Sequence, residues 1–460
     1  MQGVIGVYSR EDVGVKSLYT LYGVQHRGQE SAGVAAAGDR SLRVWSGVGL
    51  VSRVFDERYT PFSHPDDYAV IGCASGESTE GGLTPRVLDT ERYRIAVTLD
   101  GYIPRRPGES NEKAFLDVLE AKLQGTSIIP AMREAMWSLP AAYFSLVSVV
   151  LDKKEEGSML FAARDPRGVR PLHVARTKTK LYVASESAPV DVLEGMGEAF
   201  DDRRDVVPGS LIYINGEGIR EEQVIEPRPA HCAFEWVYFG RPDSVMEGRS
   251  VHAARKNLGH ALVKTHDLRR QYGVDGGPRG DLAVIPVPDS GRSVCTGVAE
   301  SLGVPADEGI IKNAYLGRTY LIYDPAFRKT ASDLKHNVIR ATVGGKKVAI
   351  CDDSIVRGTV SESVAKSLRK AGATEVDYLV SYAPIFNPCF SDPPDKPLAA
   401  KPFRGKSIEE IGRLVAEGLP SIDHVLYNTP ENVVESIGLP PGKICTYCIT
   451  GVDPFERAEK

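Results

Sequence analysis

The sequence predicts two folds in one chain: an α+β sandwich of antiparallel strands, followed by an α/β domain built on a parallel sheet. Short apolar or alternating runs separated by turn residues recur up to Asn215, which is typical of antiparallel sheets. Two later apolar runs, at residues 282–287 and 348–351, each end in a polar turn that leads into a helix. Such runs indicate strands buried on both faces, as in a parallel sheet covered by helices.

Length and composition are those of a soluble protein with two domains. The 460 residues exceed what one hydrophobic core usually organises, and 42% apolar with 25% charged residues is ordinary for a globular protein. The net charge of -5 gives no electrostatic reason to expect nucleic acid or a membrane as a partner. Without a long apolar run or a secretory signal, the expected compartment is the cytoplasm. Its seven cysteines are therefore expected to be thiols or metal ligands.

The first half begins with a predicted strand at residues 4–8 and a helix that stops at Gly23. His26 and Arg27 follow as a polar turn. Further runs have the length and alternation of strands: residues 69–71, 95–99, 143–151, 160–163, 181–184 and 210–214. The charged, proline-bearing stretch at residues 222–229 reads as a linker. We therefore expect domains at residues 1–230 and 231–460.

Four cysteines form a candidate metal site in the second half. Cys445 and Cys448 make a Cys-x-x-Cys pair, and Cys232 and Cys389 supply two more thiols. Four thiolates hold zinc or an iron–sulfur cluster, and the spacing does not choose between them or against free thiols. The remaining cysteines are expected in the core: Cys73, Cys295 and Cys351.

The most informative stretch follows the strand at residues 348–351. Asp352 and Asp353 stand at its carboxyl end, where open α/β sheets place their ligands. A small loop then leads through residues 357–361 into a helix that ends before Gly372. The N–H groups at such a helix start bind phosphate, and the carboxylates suit sugar hydroxyls or Mg²⁺. The plainer alternative is a solvated turn before an ordinary capped helix.

The run Asp-Asp-Ser-Ile-Val-Arg-Gly-Thr at residues 352–359 resembles the phosphoribosyl pyrophosphate (PRPP) signature of type I phosphoribosyltransferases. The particular residues of this run are similar to those of the glutamine PRPP amidotransferase (amidophosphoribosyltransferase) family. The resemblance implies that Asp352 and Asp353 orient the ribose and magnesium, with Ser290 near the metal. It assigns PRPP binding also to the loop and helix start: Ser354, Arg357, Gly358, Thr359 and Ser361.

The segment that begins at Lys312 resembles the lid that folds over PRPP in this family. The resemblance implies that basic side chains there meet the pyrophosphate: Lys312, Arg318 and Lys335. Tyr315 would line the closed site. Ala314 stands where the family has an arginine, which is a departure within the lid.

Blocks of the first half resemble the glutaminase domain of the same family, an N-terminal-nucleophile sandwich of the class II amidotransferases. The most specific block is Gln-His-Arg-Gly-Gln-Glu-Ser-Ala-Gly at residues 25–33. Other similar blocks lie at residues 164–172, 184–187 and 205–209. The resemblance covers essentially the whole half.

The resemblance fails where glutaminase chemistry takes place. The mature family chain begins with a cysteine activated by its own α-amine, whereas the matching residue here is Gln2. Ser75 replaces an arginine that binds the glutamine carboxylate, and Asp100, which precedes Gly101, replaces an oxyanion-hole amide. Gln2, Ser75, Asp100 and Gly101 therefore mark a degenerate site that we expect to be inactive. Cys73 has no neighbouring base in the sequence and is not expected to substitute as nucleophile.

One subgroup of the family carries a [4Fe–4S] cluster on four cysteines in these sequence contexts. They match Cys232, Cys389, Cys445 and Cys448 one by one. The resemblance implies a cluster that joins the C-terminal tail to the start of the second domain as a structural clamp.

The resulting expectation is an enzyme that forms 5-phosphoribosylamine and pyrophosphate from PRPP and ammonia, in purine synthesis. Mg²⁺ and a [4Fe–4S] cluster are the expected cofactors, and the ammonia is free or delivered by a partner glutaminase. A different reading is an inactive PRPP- or nucleotide-binding regulatory paralogue of an active amidotransferase, and a third is transfer to another small amine. The resemblance also implies a tetramer and purine nucleotides as feedback inhibitors. The predicted loss of glutaminase activity adds the alternative of a hetero-oligomer with an active glutaminase.

Overall fold

The computed structural model describes residues 1–55, 62, 64–76, 84–277, 279–312, 336–393 and 395–455. Within these residues, the chain first forms two antiparallel sheets and then a smaller parallel sheet. No helix among the described residues combines the length and the apolar character needed to cross a membrane.

Thirteen described strands make up the first region: β1 (Gln2–Tyr8), β2 (Ser31–Ala37), β3 (Leu42–Val48), β4 (Ala69–Ser75), β5 (Arg86–Asp89), β6 (Tyr93–Tyr102), β7 (Tyr143–Asp152), β8 (Gly157–Arg164), β9 (His173–Arg176), β10 (Leu181–Ala184), β11 (Asp202–Asp205), β12 (Ser210–Asn215) and β13 (Gly218–Gln223). One sheet has seven strands in the order β11-β9-β10-β1-β4-β2-β3, and the other has six in the order β13-β12-β8-β7-β6-β5. The helices of this region are α1 (Val13–Gly23), α2 (Val51–Val54), α3 (Asn111–Lys122), α4 (Ile128–Trp137) and α5 (Ala188–Gly195), with a 3₁₀ turn at Gln25–Arg27.

The core of the first region lies in three layers. Val4 of β1 and Val147 of β7 belong to an apolar cluster between the two sheets. Outside the seven-stranded sheet, α1 and α5 pack through Leu18 and Leu193. Helices α3 and α4 cover the six-stranded sheet. The predicted antiparallel sandwich is therefore confirmed.

The strands of the second region are β14 (His231–Cys232), β15 (Val245–Met246), β16 (Arg249–Ser250), β17 (Leu282–Pro286), β18 (Ile310–Lys312), β19 (His336–Val338), β20 (Lys347–Asp352), β21 (Glu375–Val380), β22 (His424–Tyr427) and β23 (Ile444–Cys445). Its helices are α6 (Val251–Thr265), α7 (Leu268–Gln271), α8 (Arg292–Leu302), α9 (Arg340–Val343), α10 (Thr359–Lys370), α11 (Ile408–Glu417), α12 (Pro430–Ile437) and α13 (Tyr447–Thr450). A π-helix lies at Glu235–Phe239, and 3₁₀ turns lie at Lys401–Phe403 and Pro441–Lys443.

The centre of the second region is a parallel sheet in the order β17-β20-β21-β22. Alternate residues of β20 face opposite sides: Ile350 packs into the cluster formed with α10 and α11, and Ala349 packs into the one formed with α6 and α8. Both faces are thus covered by helices, which is why this strand reads as a continuous apolar run. The predicted parallel α/β arrangement is confirmed. The division at residue 230 stays a prediction.

Candidate functional site

Two carboxylates lie at the carboxyl end of β20, as predicted. Asp352 and Asp353 are each 6% exposed. The Tyr378 hydroxyl on neighbouring β21 donates to Asp352 Oδ2 (2.5 Å), and the Ser290 hydroxyl donates to Asp352 Oδ1 (3.3 Å). The Ser354 hydroxyl donates to Asp353 Oδ2 (2.6 Å). The structure therefore brings together Ser290, after β17, and the carboxylates that follow β20.

No cation within the described residues forms an ion pair with either carboxylate. Burial raises the pKa of Asp352 well above its usual range, and the neighbouring charge of Asp353 raises it further. Burial also raises the pKa of Asp353, although the positive charge of the more distant Arg255 lowers it in part. Adjacent buried carboxylates without a compensating cation are costly. This donor set suits a divalent cation with oxygen ligands, or sugar hydroxyls that donate to it.

The predicted phosphate loop ends at Gly358, which caps α10 with a φ of 83°. That positive φ favours glycine, and an added Cβ would lie 2.8 Å from Leu419 Cδ2. No side chain caps the helix start, so the N–H groups of its first turn have no side-chain acceptor there. Arg357 and Thr359 are exposed and Ser361 is buried. The loop thus offers backbone donors and one accessible guanidinium.

On the β17 side, Lys312 at the end of β18 places Nζ 3.1 Å from Asp289 Oδ2. Arg292, in the first turn of α8, also contacts Asp289 (3.5 Å). The first basic residue of the predicted lid therefore lies beside the loop that carries Ser290. The rest of the predicted lid lies outside the described residues: Ala314, Tyr315, Arg318 and Lys335.

The four positions that the resemblance predicts to mark a degenerate glutaminase site lie in one part of the fold. Gln2 and Ser75 are paired across β1 and β4. The Gln2 backbone N–H donates to Asp100 Oδ1 (2.9 Å), and its side-chain amide donates to Glu112 Oε1 (2.9 Å). Gly101, next to Asp100, has a φ of 155° and a close backbone neighbour, because an added Cβ would lie 2.1 Å from the Tyr143 carbonyl oxygen. Gln2 is 8% exposed, so its carboxamide fills an interior position.

A buried ionic network lies beside Gln2 and was not predicted. Arg27 Nε is 2.6 Å from Glu186 Oε1, and Arg27 Nη2 is 2.6 Å from Glu235 Oε2. Arg170 Nη1 is 2.8 Å from Glu235 Oε1. Asp100 lies 3.6 Å from Arg27 and 3.8 Å from Arg170. Burial opposes the ionisation of Glu186, but Arg27 and His26 outweigh it and lower its pKa. Sequence spacing did not reveal these pairs because Glu235 is 208 residues from Arg27.

Cys73 is an interior residue, as predicted. It is fully buried on β4, and its sulfur lies 2.7 Å from the Thr84 hydroxyl oxygen. Burial raises the pKa of the Cys73 thiol to about 11. At neutral pH the group is therefore a thiol, which is a poor nucleophile. Cys295 and Cys351 are buried as well.

The four predicted ligand cysteines approach one another from distant parts of the chain. Cys232 and Cys445 are paired across the parallel strands β14 and β23. The backbone N–H groups of Phe386 and Asn387, which precede Cys389, donate to the Cys448 carbonyl (2.8 and 3.0 Å). Burial, with a smaller contribution from the neighbouring cysteines, raises the pKa of Cys445 to about 11 and that of Cys448 to about 12.

Two buried tyrosines adjoin these sulfurs and were missed in the sequence. The Tyr382 hydroxyl oxygen lies 3.1 Å from Cys448 Sγ, and the Tyr143 hydroxyl oxygen lies 3.7 Å from Cys389 Sγ. Within the part of the chain that the structure describes, no three of the four sulfurs lie within 4.8 Å of one another. No three of these sulfurs are therefore as close together as the ligands of a single metal ion.

Comparison with known proteins gives full-length relatives, although no protein-family model matches the chain. The chain is 32% identical to an amidophosphoribosyltransferase of Methanothermobacter thermautotrophicus, with 98% of this chain and 94% of that protein covered. It is 33% identical to the protein of the same name from Mycobacterium bovis (99% and 86% covered). Among solved structures, it is similar to the glutamine PRPP amidotransferase from B. subtilis complexed with ADP and GMP. That similarity has a TM-score of 0.81 at 28% identity and covers 98% of this chain and 97% of the other.

Proposed function

Because this chain belongs to the amidophosphoribosyltransferase family, we propose that it forms 5-phosphoribosylamine and pyrophosphate from PRPP and ammonia, without using glutamine. One observation carries the proposal. Gln2, which the sequence resemblance matches to the attacking cysteine, donates hydrogen bonds to two carboxylates, Asp100 and Glu112. The Asp352–Asp353 pair, in contrast, lies beside the Ser290 and Tyr378 hydroxyl groups without an ion pair among the described residues, which supports a ligand site there.

The transferase step follows from the groups around Asp352. Displacement of pyrophosphate at the anomeric carbon develops positive charge on the ribose and negative charge on the leaving group. Asp352 and Asp353 would hold the ribose hydroxyls and Mg²⁺, with Ser290 beside them. Mg²⁺, when bound, neutralises charge on the leaving pyrophosphate. Lys312 adds a positive charge on that side, and the N–H groups after Gly358 bind the 5′-phosphate.

Loss of glutamine use follows from three properties of the front site. Hydrolysis needs a nucleophile, and the Gln2 carboxamide is not one. A tetrahedral intermediate needs hydrogen-bond donors at its oxyanion, whereas an ionised Asp100 offers only acceptors. The glutamine carboxylate needs a cation, and Ser75 is neutral. Ammonia would therefore come from solution or from a partner glutaminase, and the front domain would serve as scaffold.

The cysteine cluster fits an iron–sulfur group better than a single zinc ion. Four thiolates around zinc lie about 2.3 Å from the metal, which puts the sulfurs about 3.8 Å apart. A four-iron cluster is larger and holds its cysteines farther apart, which agrees with the finding that no three of these sulfurs lie within 4.8 Å of one another among the described residues. Cys232, Cys389, Cys445 and Cys448 would hold it and so join the C-terminal tail to the start of the second domain. Anaerobic protein with iron, acid-labile sulfide and a brown colour is expected; a colourless preparation with stoichiometric zinc would contradict the assignment.

The nitrogen donor is tested by pyrophosphate release from PRPP and Mg²⁺ with ammonium, with glutamine, or without an acceptor. We expect release with ammonium alone. Glutamine-supported release, or glutamate formed above a boiled control, would overturn the loss of glutaminase activity. PRPP binding without turnover under any of these conditions would overturn the transferase assignment in favour of a regulatory paralogue. Pyrophosphate release with another small amine but not with ammonium would show that the proposed acceptor, ammonia, is wrong.

A further inference from the structure

A cavity of about 250 Å³ lies between the linker and the C-terminal segment. We call it the linker cavity. Its charged walls are Arg167, Arg228 and Lys443, and Cys445 also lines it. The linker is held in place there because the Arg228 N–H donates to the Pro166 carbonyl (2.7 Å). The cavity thus has a fixed backbone frame on one side and the cysteine-bearing tail on the other.

The cations of the linker cavity are poorly compensated. The Arg167 guanidinium donates to the neutral carbonyls of Pro140 (3.0 Å) and Pro454 (3.3 Å) and lies 4.4 Å from the Phe455 ring centroid, so its described contacts are all neutral. Arg228 and Lys443 are exposed, and neither forms an ion pair with any described residue. The positive charge of Arg228 acts with burial to lower the pKa of Arg167, while Asp165 and Asp453 oppose this.

The nearby carboxylates have other partners. Asp165 accepts backbone N–H groups from Phe144 (3.1 Å) and Arg167 (2.8 Å). Asp453 Oδ1 accepts the Phe455 N–H (2.7 Å). Three cations therefore converge on a small cavity in a protein whose net charge is -5. Mutually repelling cations around a concave space are stabilised by an anion that contacts them together.

We propose that the linker cavity binds a small phosphate-bearing polyanion of about the size of pyrophosphate. The volume lies just below the usual range of roughly 300–1,000 Å³ for ligand sites, which suits a compact anion. Guanidinium groups bind phosphate oxygens through paired hydrogen bonds, and the lysine adds a point charge. The site is separate from the Asp352–Asp353 pair, and it does not depend on turnover at that pair. The bound anion would lie against Cys445, at the point where linker and tail meet.

The test is lysine footprinting of the full-length protein, as purified, with a limiting acetylating reagent. Lys443 acetylation is measured by mass spectrometry with and without pyrophosphate, in the absence of Mg²⁺ and PRPP. Lys178 is the internal control, since it is exposed and forms no ion pair with any described residue. We expect saturable, several-fold protection of Lys443 and none of Lys178. Equal labelling of Lys443 in both samples would overturn the proposal.

A variant distinguishes anion binding in the linker cavity from a general effect of ionic strength on the labelling of Lys443. Arg228→Gln removes one exposed cation and is expected to weaken the protection of Lys443 by about tenfold in pyrophosphate concentration. Arg220→Gln, an exposed arginine on β13, should leave it unchanged. Inorganic phosphate should protect more weakly than pyrophosphate at matched ionic strength. Equal protection by chloride at that ionic strength, or undiminished protection in Arg228→Gln, would refute a specific anion site.

Discussion

Two sites with buried carboxylates in this chain differ in whether positively charged side chains lie beside the carboxylates. In the front region, Asp100 lies 3.6 Å from Arg27 and 3.8 Å from Arg170. In the back region, Asp352 and Asp353 are also buried but have hydroxyl and backbone donors instead of cations in ion pairs among the described residues. The front carboxylate thus has positive charges beside it, whereas the back pair has none in an ion pair among the described residues.

The difference separates structural from ligand-binding carboxylates. A buried ion pair is weak evidence for net stabilisation, but removing one partner is strongly destabilising. Adjacent carboxylates without a cation are destabilising until a ligand neutralises them, as at many functional sites. The comparison therefore predicts opposite responses to neutralisation: the front region should lose stability, and the back region should lose function while gaining stability.

The largest expected effect is on stability in the front region. Arg27→Ala leaves the carboxylates of Glu186 and Glu235 buried without this partner, and should lower the free energy of unfolding by about 3–5 kcal/mol. Urea unfolding is followed by circular dichroism and by the fluorescence of buried Trp236, next to Glu235. The control Arg413→Ala breaks an exposed pair with Glu417 and should cost less than about 1 kcal/mol. Equal losses of unfolding free energy in Arg27→Ala and Arg413→Ala would contradict the structural role assigned to Arg27.

The next effect is on turnover in the back region. Asp352→Asn removes the charge that would face Mg²⁺ and the ribose, and should reduce ammonium-dependent pyrophosphate release by about 10²-fold or more. Because it also removes repulsion from Asp353, the ligand-free variant should melt no lower than the unchanged protein. Asp201→Asn, at an exposed position, is the matched control and should change neither quantity. An active Asp352→Asn enzyme would contradict the placement of the site.

The same contrast predicts opposite pH dependences. The pKa values of Asp352 and Asp353 are raised above 3.8 by burial, so the native protein keeps protons that the unfolded chain loses. Their stabilising contribution is present below about pH 4 and is lost as the pH rises through the raised values. Glu186 has a lowered pKa because the positive charges of Arg27 and His26 outweigh the effect of its burial. Its contribution to stability is therefore present above about pH 4.5 and is lost on acidification.

This pH dependence is measured on ligand-free, Mg²⁺-free protein. The stability gained by Asp352→Asn/Asp353→Asn over the unchanged protein should grow as the pH rises from about 4 to 8. A gain that is constant or shrinks over this range would show that these carboxyls titrate normally in the native state.

The sequence predicted those strands and helix ends that follow from the local pattern of apolar residues and from recognisable motifs. The apolar run before Asp352 identified a strand covered on both faces, and Gly358 marked the start of α10. Contacts between distant residues were predicted only where a family motif covered both partners, as for Ser290 and Asp352. Tyr378 reaches Asp352 only because β20 and β21 are parallel neighbours in a register that pairs Ile350 with Tyr378. Likewise, the Arg27–Glu235 pair depends on how the front sandwich meets the π-helix.

The smallest expected effect is that of Asp100→Asn, which restores the family's amide at one of the changed positions. An asparagine carbonyl still accepts the Gln2 N–H, and Asp100 lies beyond hydrogen-bond distance of either arginine. Stability should therefore change by about 1 kcal/mol or less. Glutamine hydrolysis should stay absent, because position 2 still lacks a nucleophile. Glutamate release is measured beside Asp201→Asn and a boiled sample. A gain of hydrolysis in Asp100→Asn alone would mean that another group, such as Cys73, acts as nucleophile, and that the front region is a suppressed catalyst rather than a structural domain.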